Sequence, residues 1–251
     1  MEVSEKLVWL AFALFGSQLF AQEQSAQEAA KKLAGLDRAW GQAASTPNTS
    51  LEIREASRTG PVIRYRLYTK GLPSGIYTMV SWPVTQRGPS ESLRGITFDR
   101  AGMAICAGTP GTCGVAENPN DPIDIPINAV PGEPFRFGLI SADGATKVFA
   151  RIIPKPLHGE DGPCSVSATL LTPGAEMVSI EGKGFGPDEE ILLDSDSAGE
   201  VLRQKVKSTS AGGYNSFILP FKKGLTQGMS KVALKSKTCA PSVSFHWGKG
   251  N

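Results

Sequence analysis

The chain has 251 residues and a formal charge of +2, from 26 basic and 24 acidic side chains. So even a balance excludes a nucleic-acid binder of the usual kind, which needs a basic domain with clustered Lys and Arg. Gly (28) and Pro (18) are spread along the chain, which signals many turns between short strands in place of a low-complexity tail.

Residues 1–6 are a short polar start and residues 7–20 an apolar run closing at Ala21, the layout of a secretory signal peptide over 1–21. Gly16, Ser17 and Gln18 interrupt the run, whereas a spanning helix needs about 20 apolar residues. Cleavage near Ala21 is therefore expected, with no transmembrane span in the mature form and a periplasmic, surface or extracellular destination. No cysteine follows the run to support a lipoprotein.

Ser25 and Glu28 then form a capping box, and Ala26, Ala29, Leu33, Leu36 and Trp40 recur at three- and four-residue steps before Gly41. This predicts a short amphipathic helix within residues 22–50, followed by a linker at 43–50. Gly35 and a narrow apolar face make the helix marginal unless it docks. Packing on its own domain is one reading; a partner or membrane-surface helix with Lys31, Lys32 and Arg38 on its basic face is the other.

From Leu51 the period changes to two. Ile63, Tyr65 and Leu67 alternate with Arg64, Arg66 and Tyr68, and residues 71–75 turn the chain toward Ile76, Thr78, Val80 and Trp82, which predicts a hairpin. Residues 93–98 and 103–106 form a second predicted pair around a turn at Asp99. Ile123, Ile125 and Ile127 alternate with Asp124, Pro126 and Asn128, and the prolines restrict that strand to an edge. Residues 135–139 and 148–152 pair across Asp143-Gly144. These strands predict an N-terminal β-sandwich over 51–154, ended by a proline-rich linker at 155–163.

Four cysteines, Cys106, Cys113, Cys164 and Cys239, read as two disulfides in an exported chain and permit three connectivities. Cys106 with Cys113 is favoured because the intervening residues 107–112 are turn chemistry; Cys164 with Cys239 follows. Their spacings fit no common zinc pattern, and His158 and His246 are the sole histidines to add. No metal and no cofactor is expected.

In the second half, Val166, Ala168 and Leu170 begin a strand, and residues 177–181 lead into Gly182-Lys183-Gly184-Phe185-Gly186-Pro187. Glycines permit positive φ at such a corner, and Phe185 is placed to plug a sandwich end. The stretch resembles the G-x-G-F-x-P-x-E turn of bacterial immunoglobulin-like modules, including TIG-type domains. That resemblance covers roughly 164–247 and implies a Greek-key sandwich of about seven strands. Further on, Lys205 and Lys207, then Lys231, Lys235 and Lys237, mark one lysine-rich face, while Val243, Phe245 and Trp247 alternate with Ser244 and His246. The fold expected is all-β: two β-sandwich domains in tandem, the second (164–251) immunoglobulin-like, preceded by a short N-terminal helix.

The sequence has no G-x-S-x-G elbow, no C-x-x-C and no phosphate loop, since no helix follows the glycines at 182–186. Asp188, Glu189, Glu190, Asp194 and Asp196 are the best candidate for calcium but lack its regular spacing, so a solvated surface is the simpler reading. Two surfaces are candidates for binding. Tyr68, Tyr77 and Trp82 are a candidate aromatic platform for sugars, against the plainer reading that strand aromatics fill cores. Lys205, Lys207, Lys231, Lys235 and Lys237 are a candidate face for an acidic polymer or membrane surface, against a purely solubilising role. The function expected is an exported non-enzymatic binding or scaffolding module, with envelope polysaccharide or another envelope protein as partner and nucleic acid excluded. The alternative is a carbohydrate-active enzyme, or its accessory domain, with acids from the turns at Asp99, Glu133 and Asp143.

Overall fold

The computed structural model describes Trp40 and residues 44–84, 88–108, 113 and 120–248. The predicted signal peptide lies outside the described residues, as does the predicted helix apart from Trp40. The rest is all-β, with no helix among the described residues long and apolar enough to cross a membrane.

Eight strands cover 50–152. β1 (Ser50–Thr59), β2 (Val62–Lys70) and β6 (Ile125–Ile127) form one antiparallel sheet in the order β1-β2-β6. The other has the order β5-β4-β3-β7-β8, from β3 (Tyr77–Pro83), β4 (Ser90–Phe98), β5 (Ala104–Cys106), β7 (Phe135–Ser141) and β8 (Lys147–Ile152). Ile63, Tyr65 and Leu67 of β2 point inward with Tyr77, Met79, Ile96, Phe137 and Leu139, as the alternation requires. The hairpin expected between β2 and β3 is not formed. The turn at 71–75 carries the chain from one sheet to the other, so both strands contribute to a shared core without pairing. β4 pairs with β5 and β7 with β8 as their turns predict, and the proline-bearing β6 sits at a sheet edge. The Asp99 carboxylate fixes the β4–β5 turn by accepting from the amides of Ala101 and Met103 at 2.9 and 2.8 Å.

The second sandwich begins inside the predicted linker. Residues 157–161 form β9 (Leu157–Asp161), which pairs with β10 (Cys164–Leu170). The prolines at 154, 156 and 163 lie outside the strand, so they bound it and do not interrupt its ladder. Its sheet runs β14-β11-β10-β9, with β11 (Val178–Lys183) and β14 (Tyr214–Ile218). The facing sheet runs β13-β12-β15-β16, from β12 (Glu190–Ser197), β13 (Glu200–Lys207), β15 (Gln227–Lys235) and β16 (Ser242–Gly248). Counted from β10, the first, second and fifth strands face the fourth, third, sixth and seventh. This is an immunoglobulin-like arrangement with the third and sixth strands central in their sheet.

The Gly182–Pro187 corner works as its residues suggest. Phe185 is buried in the second core, its amide donates to Gly212 at 3.1 Å, and Gly184 takes a φ of 83° where its α-carbon passes the Pro163 carbonyl. Both disulfides form as expected. Cys106 meets Cys113 with a Cα separation of 5.7 Å, and Cys164 meets Cys239 with 6.1 Å.

Candidate functional site

The predicted lysine face is the outer surface of the β13-β12-β15-β16 sheet. Along β12 the even-numbered residues Glu190, Leu192, Asp194 and Asp196 point out while Ile191 and Leu193 enter the core. On one side, Lys207 stands across from Glu190, Lys205 from Leu192 and Arg203 from Asp194. On the other, Lys235 stands across from Leu192 and Lys231 from Asp196. The register therefore sets a row of carboxylates between two rows of cations. Four of the five expected lysines share this face; Lys237 lies just past the end of β15.

The carboxylates hold part of that charge. Lys235 lies 2.5 Å and Arg203 3.6 Å from Asp194, and Lys205 lies 2.9 Å from Glu190. The hydrogen bond from Lys235 holds the Asp194 carboxyl below its ordinary range, and that from Lys205 does the same for Glu190. Five cations against three carboxylates leave the face positive.

The aromatic candidates do not form a platform. Tyr77 points into the N-terminal core, where its hydroxyl donates to the Pro73 carbonyl at 2.8 Å and its ring packs 5.2 Å from Phe98. Trp82 is on the opposite face of the same sheet, yet it is buried because Trp40 lies 5.6 Å away and the Arg136 guanidinium sits 4.5 Å over its ring. Tyr68 belongs to the other sheet, with Arg54 stacked 4.2 Å over it. Sugar stacking across the three is ruled out by this placement.

The acidic candidates are engaged locally. Glu189 accepts from the Gly186 amide at 2.8 Å and the Lys237 amide at 3.3 Å, which lowers its pKa and ties the corner to the turn after β15. Asp143 accepts from the Ser141 hydroxyl and the Ala145 amide, with its pKa lowered in consequence. Asp99 closes its own turn, and Glu133 accepts from the Val130 amide at 3.2 Å. Among the described residues no three His, Cys, Asp or Glu side chains are gathered as metal ligands would be. His158 lies on β9, 2.8 Å from Glu160, and His246 faces out from β16.

Alternation along single strands hides a signal of longer range. From Val201 to Asn251 the sequence has nine Lys or Arg and no Asp or Glu. Every carboxylate on the face therefore comes from β12, and Arg203 joins the cations from β13.

No family model and no curated protein matches the chain. Among solved structures it is similar to a tetra-tandem repeat in the extending region of a large adhesion protein, at 11% identity and a TM-score of 0.24, over 81% of this chain and 48% of that one. It is also similar to a structure from a 1.5-MDa bacterial ice-binding adhesin, at 6% identity and a TM-score of 0.21, over 80% of this chain and 63% of that one. The chain thus spans less than two thirds of either.

Proposed function

We propose that the protein is an exported, non-enzymatic β-sandwich module of the cell envelope or extracellular space that binds or scaffolds through the charged face of its C-terminal sheet. The observation that carries this reading is the register of β13, β12 and β15, which fixes five cations and three carboxylates on one rigid, solvent-facing surface. Two disulfides support an oxidising destination. The corner at 182–187 and the strand order support membership of the bacterial immunoglobulin-like modules for the second half. The partner that suits the face is an acidic envelope polymer or an envelope protein with an acidic surface. The turn acids Asp99, Glu133 and Asp143 each close or brace their own loop, so no observation favours the glycoside-cleaving alternative.

Co-sedimentation of the oxidised protein with cell envelopes and insoluble polysaccharides tests the reading. Binding should be strong at low salt and weaken steeply as ionic strength approaches about 1 M, where the screening length falls to about 3 Å. Lys205→Glu combined with Lys231→Glu should remove it. Binding that ignores both salt and these substitutions would reject the charged face as the contact.

A further inference from the structure

Six large hydrophobic side chains are exposed among the described residues, and five of them lie in or next to two neighbouring connectors of the second sandwich, the β12–β13 turn and the β14–β15 connection. Val201 (51% exposed) and Leu202 (56%) follow the β12–β13 hairpin, while Phe221 (56%), Leu225 (47%) and Met229 (52%) belong to the β14–β15 connection and the start of β15. Scattered singly, such residues need no explanation; gathered on neighbouring connectors they mark a contact surface.

The two connectors are built as one piece. The Lys222 ammonium donates to the Ala198 carbonyl at 2.9 Å, the Ser197 hydroxyl donates to the Pro220 carbonyl, and the Ala198 amide donates to Met229 at 3.0 Å. A turn closed by the Leu225 amide on the Lys222 carbonyl, at 3.1 Å, carries Phe221 and Leu225 outward with Lys222 and Lys223 between them. Lys231 and Arg203 follow on the adjoining sheet face. The nearby carboxylates are Glu200 and Asp196, and Asp196 is engaged with the Gly199 amide at 2.8 Å.

Resting on the reading of the protein as an envelope module, we propose that this end is a lipid-docking tip: Phe221 and Leu225 enter the interface of an anionic bilayer, and Lys223 and Lys231 meet its phosphate headgroups. A projecting turn with apolar side chains and a cationic surround suits a fluid surface that is apolar below and negative at its boundary. Lysine stems lie along the apolar layer while their ammonium groups stay with the headgroups.

The test is sedimentation of the exported, oxidised protein with vesicles of phosphatidylcholine alone and of phosphatidylcholine with phosphatidylglycerol. The chain should pellet with the anionic vesicles and stay in solution with the zwitterionic ones. Phe221→Ser with Leu225→Ser should weaken that binding roughly tenfold or more, and Lys223→Glu should weaken it several-fold. Ile76→Ser, the exposed apolar residue of the other sandwich, should leave it unchanged. In a second measurement, a tryptophan placed by Phe221→Trp should be quenched by lipids brominated near the headgroup. Undiminished binding by the double variant would assign the contact elsewhere, including to the N-terminal amphipathic segment, and overturn the proposal. Envelope binding with no vesicle binding would also overturn it while leaving the envelope module standing; failure to bind either would remove both.

Discussion

Glu133 is a buried carboxylate next to Gly132, whose backbone joins the two halves: the Gly132 amide donates to the Lys155 carbonyl and its carbonyl accepts from the Leu170 amide. Burial pushes the Glu133 carboxyl above the usual range, with partial relief from the Val130 amide. An acid whose pKa is raised in the folded state binds protons more tightly when folded. Its contribution is therefore most favourable below the unfolded value of about 4.3 and declines as pH rises through the folded one. Glu133→Gln keeps an oxygen acceptor for Val130 and removes the buried charge. The variant should unfold at higher urea than the parent at pH 7, with the gap closing toward pH 4; a less stable variant at pH 7 would refute the burial argument. At this scale the lysines were legible in the sequence because strand alternation assigns them to one face. Trp82 was not, since period two cannot tell which face is wet when a distant residue, Trp40, covers the outer one.

At the scale of elements, Trp40 and residues 44–49 finish the five-stranded sheet. The Thr46 amide donates to the Lys147 carbonyl at 2.8 Å, and the amides of Lys147 and Phe149 donate to the hydroxyls of Thr46 and Ser45 at 3.0 and 2.9 Å. These bonds satisfy ladder groups on the outer edge of β8 that would otherwise be open to another chain. Trp40 anchors the arrangement, with its indole N–H on the Phe137 carbonyl at 3.1 Å and its ring 4.8 Å from that of Phe149. Gly138 makes room, because a Cβ there would strike Phe149 and Val80. Trp40→Ala should cost about 2–3 kcal/mol in guanidinium unfolding, less than a fully buried tryptophan. Trp40→Phe, which keeps ring packing and loses the hydrogen bond, should cost about 1 kcal/mol. Most strands were legible because they carry a core on one face. β1 was not, since from Arg54 onward both of its faces are exposed and no alternation records it. β9 was hidden by flanking prolines, and the β2–β3 crossover by a turn composition that serves a hairpin equally well.

Across the whole molecule, two hydrophobic cores share a narrow junction in which Val130 and Leu157 pack against the second core. Gly132 fits against Leu157 there, with a φ of 80° that a larger residue would resist. The disulfides constrain the halves unequally. Cys106 and Cys113 are 7 residues apart and close a small loop in the first, whereas Cys164 and Cys239 are 75 apart and join the start of β10 to the turn between β15 and β16. In the chain-entropy account the short loop contributes about 2.5 kcal/mol and the long one about 4.5 kcal/mol. Cys164→Ser with Cys239→Ser should therefore lower stability about 2 kcal/mol more than Cys106→Ser with Cys113→Ser. The loss should fall on the half that holds Trp247, which lies in the second core, while Trp40 and Trp82 report on the first. Guanidinium unfolding followed by tryptophan fluorescence, with Trp247→Phe as the reference that silences the second half, separates the two. If removing the long-loop disulfide shifted the Trp40 and Trp82 transition by the same amount, the junction would be coupling the sandwiches into one cooperative unit, and the C-terminal tip and charged face would owe their rigidity to the whole chain and not to their own disulfide-closed sandwich.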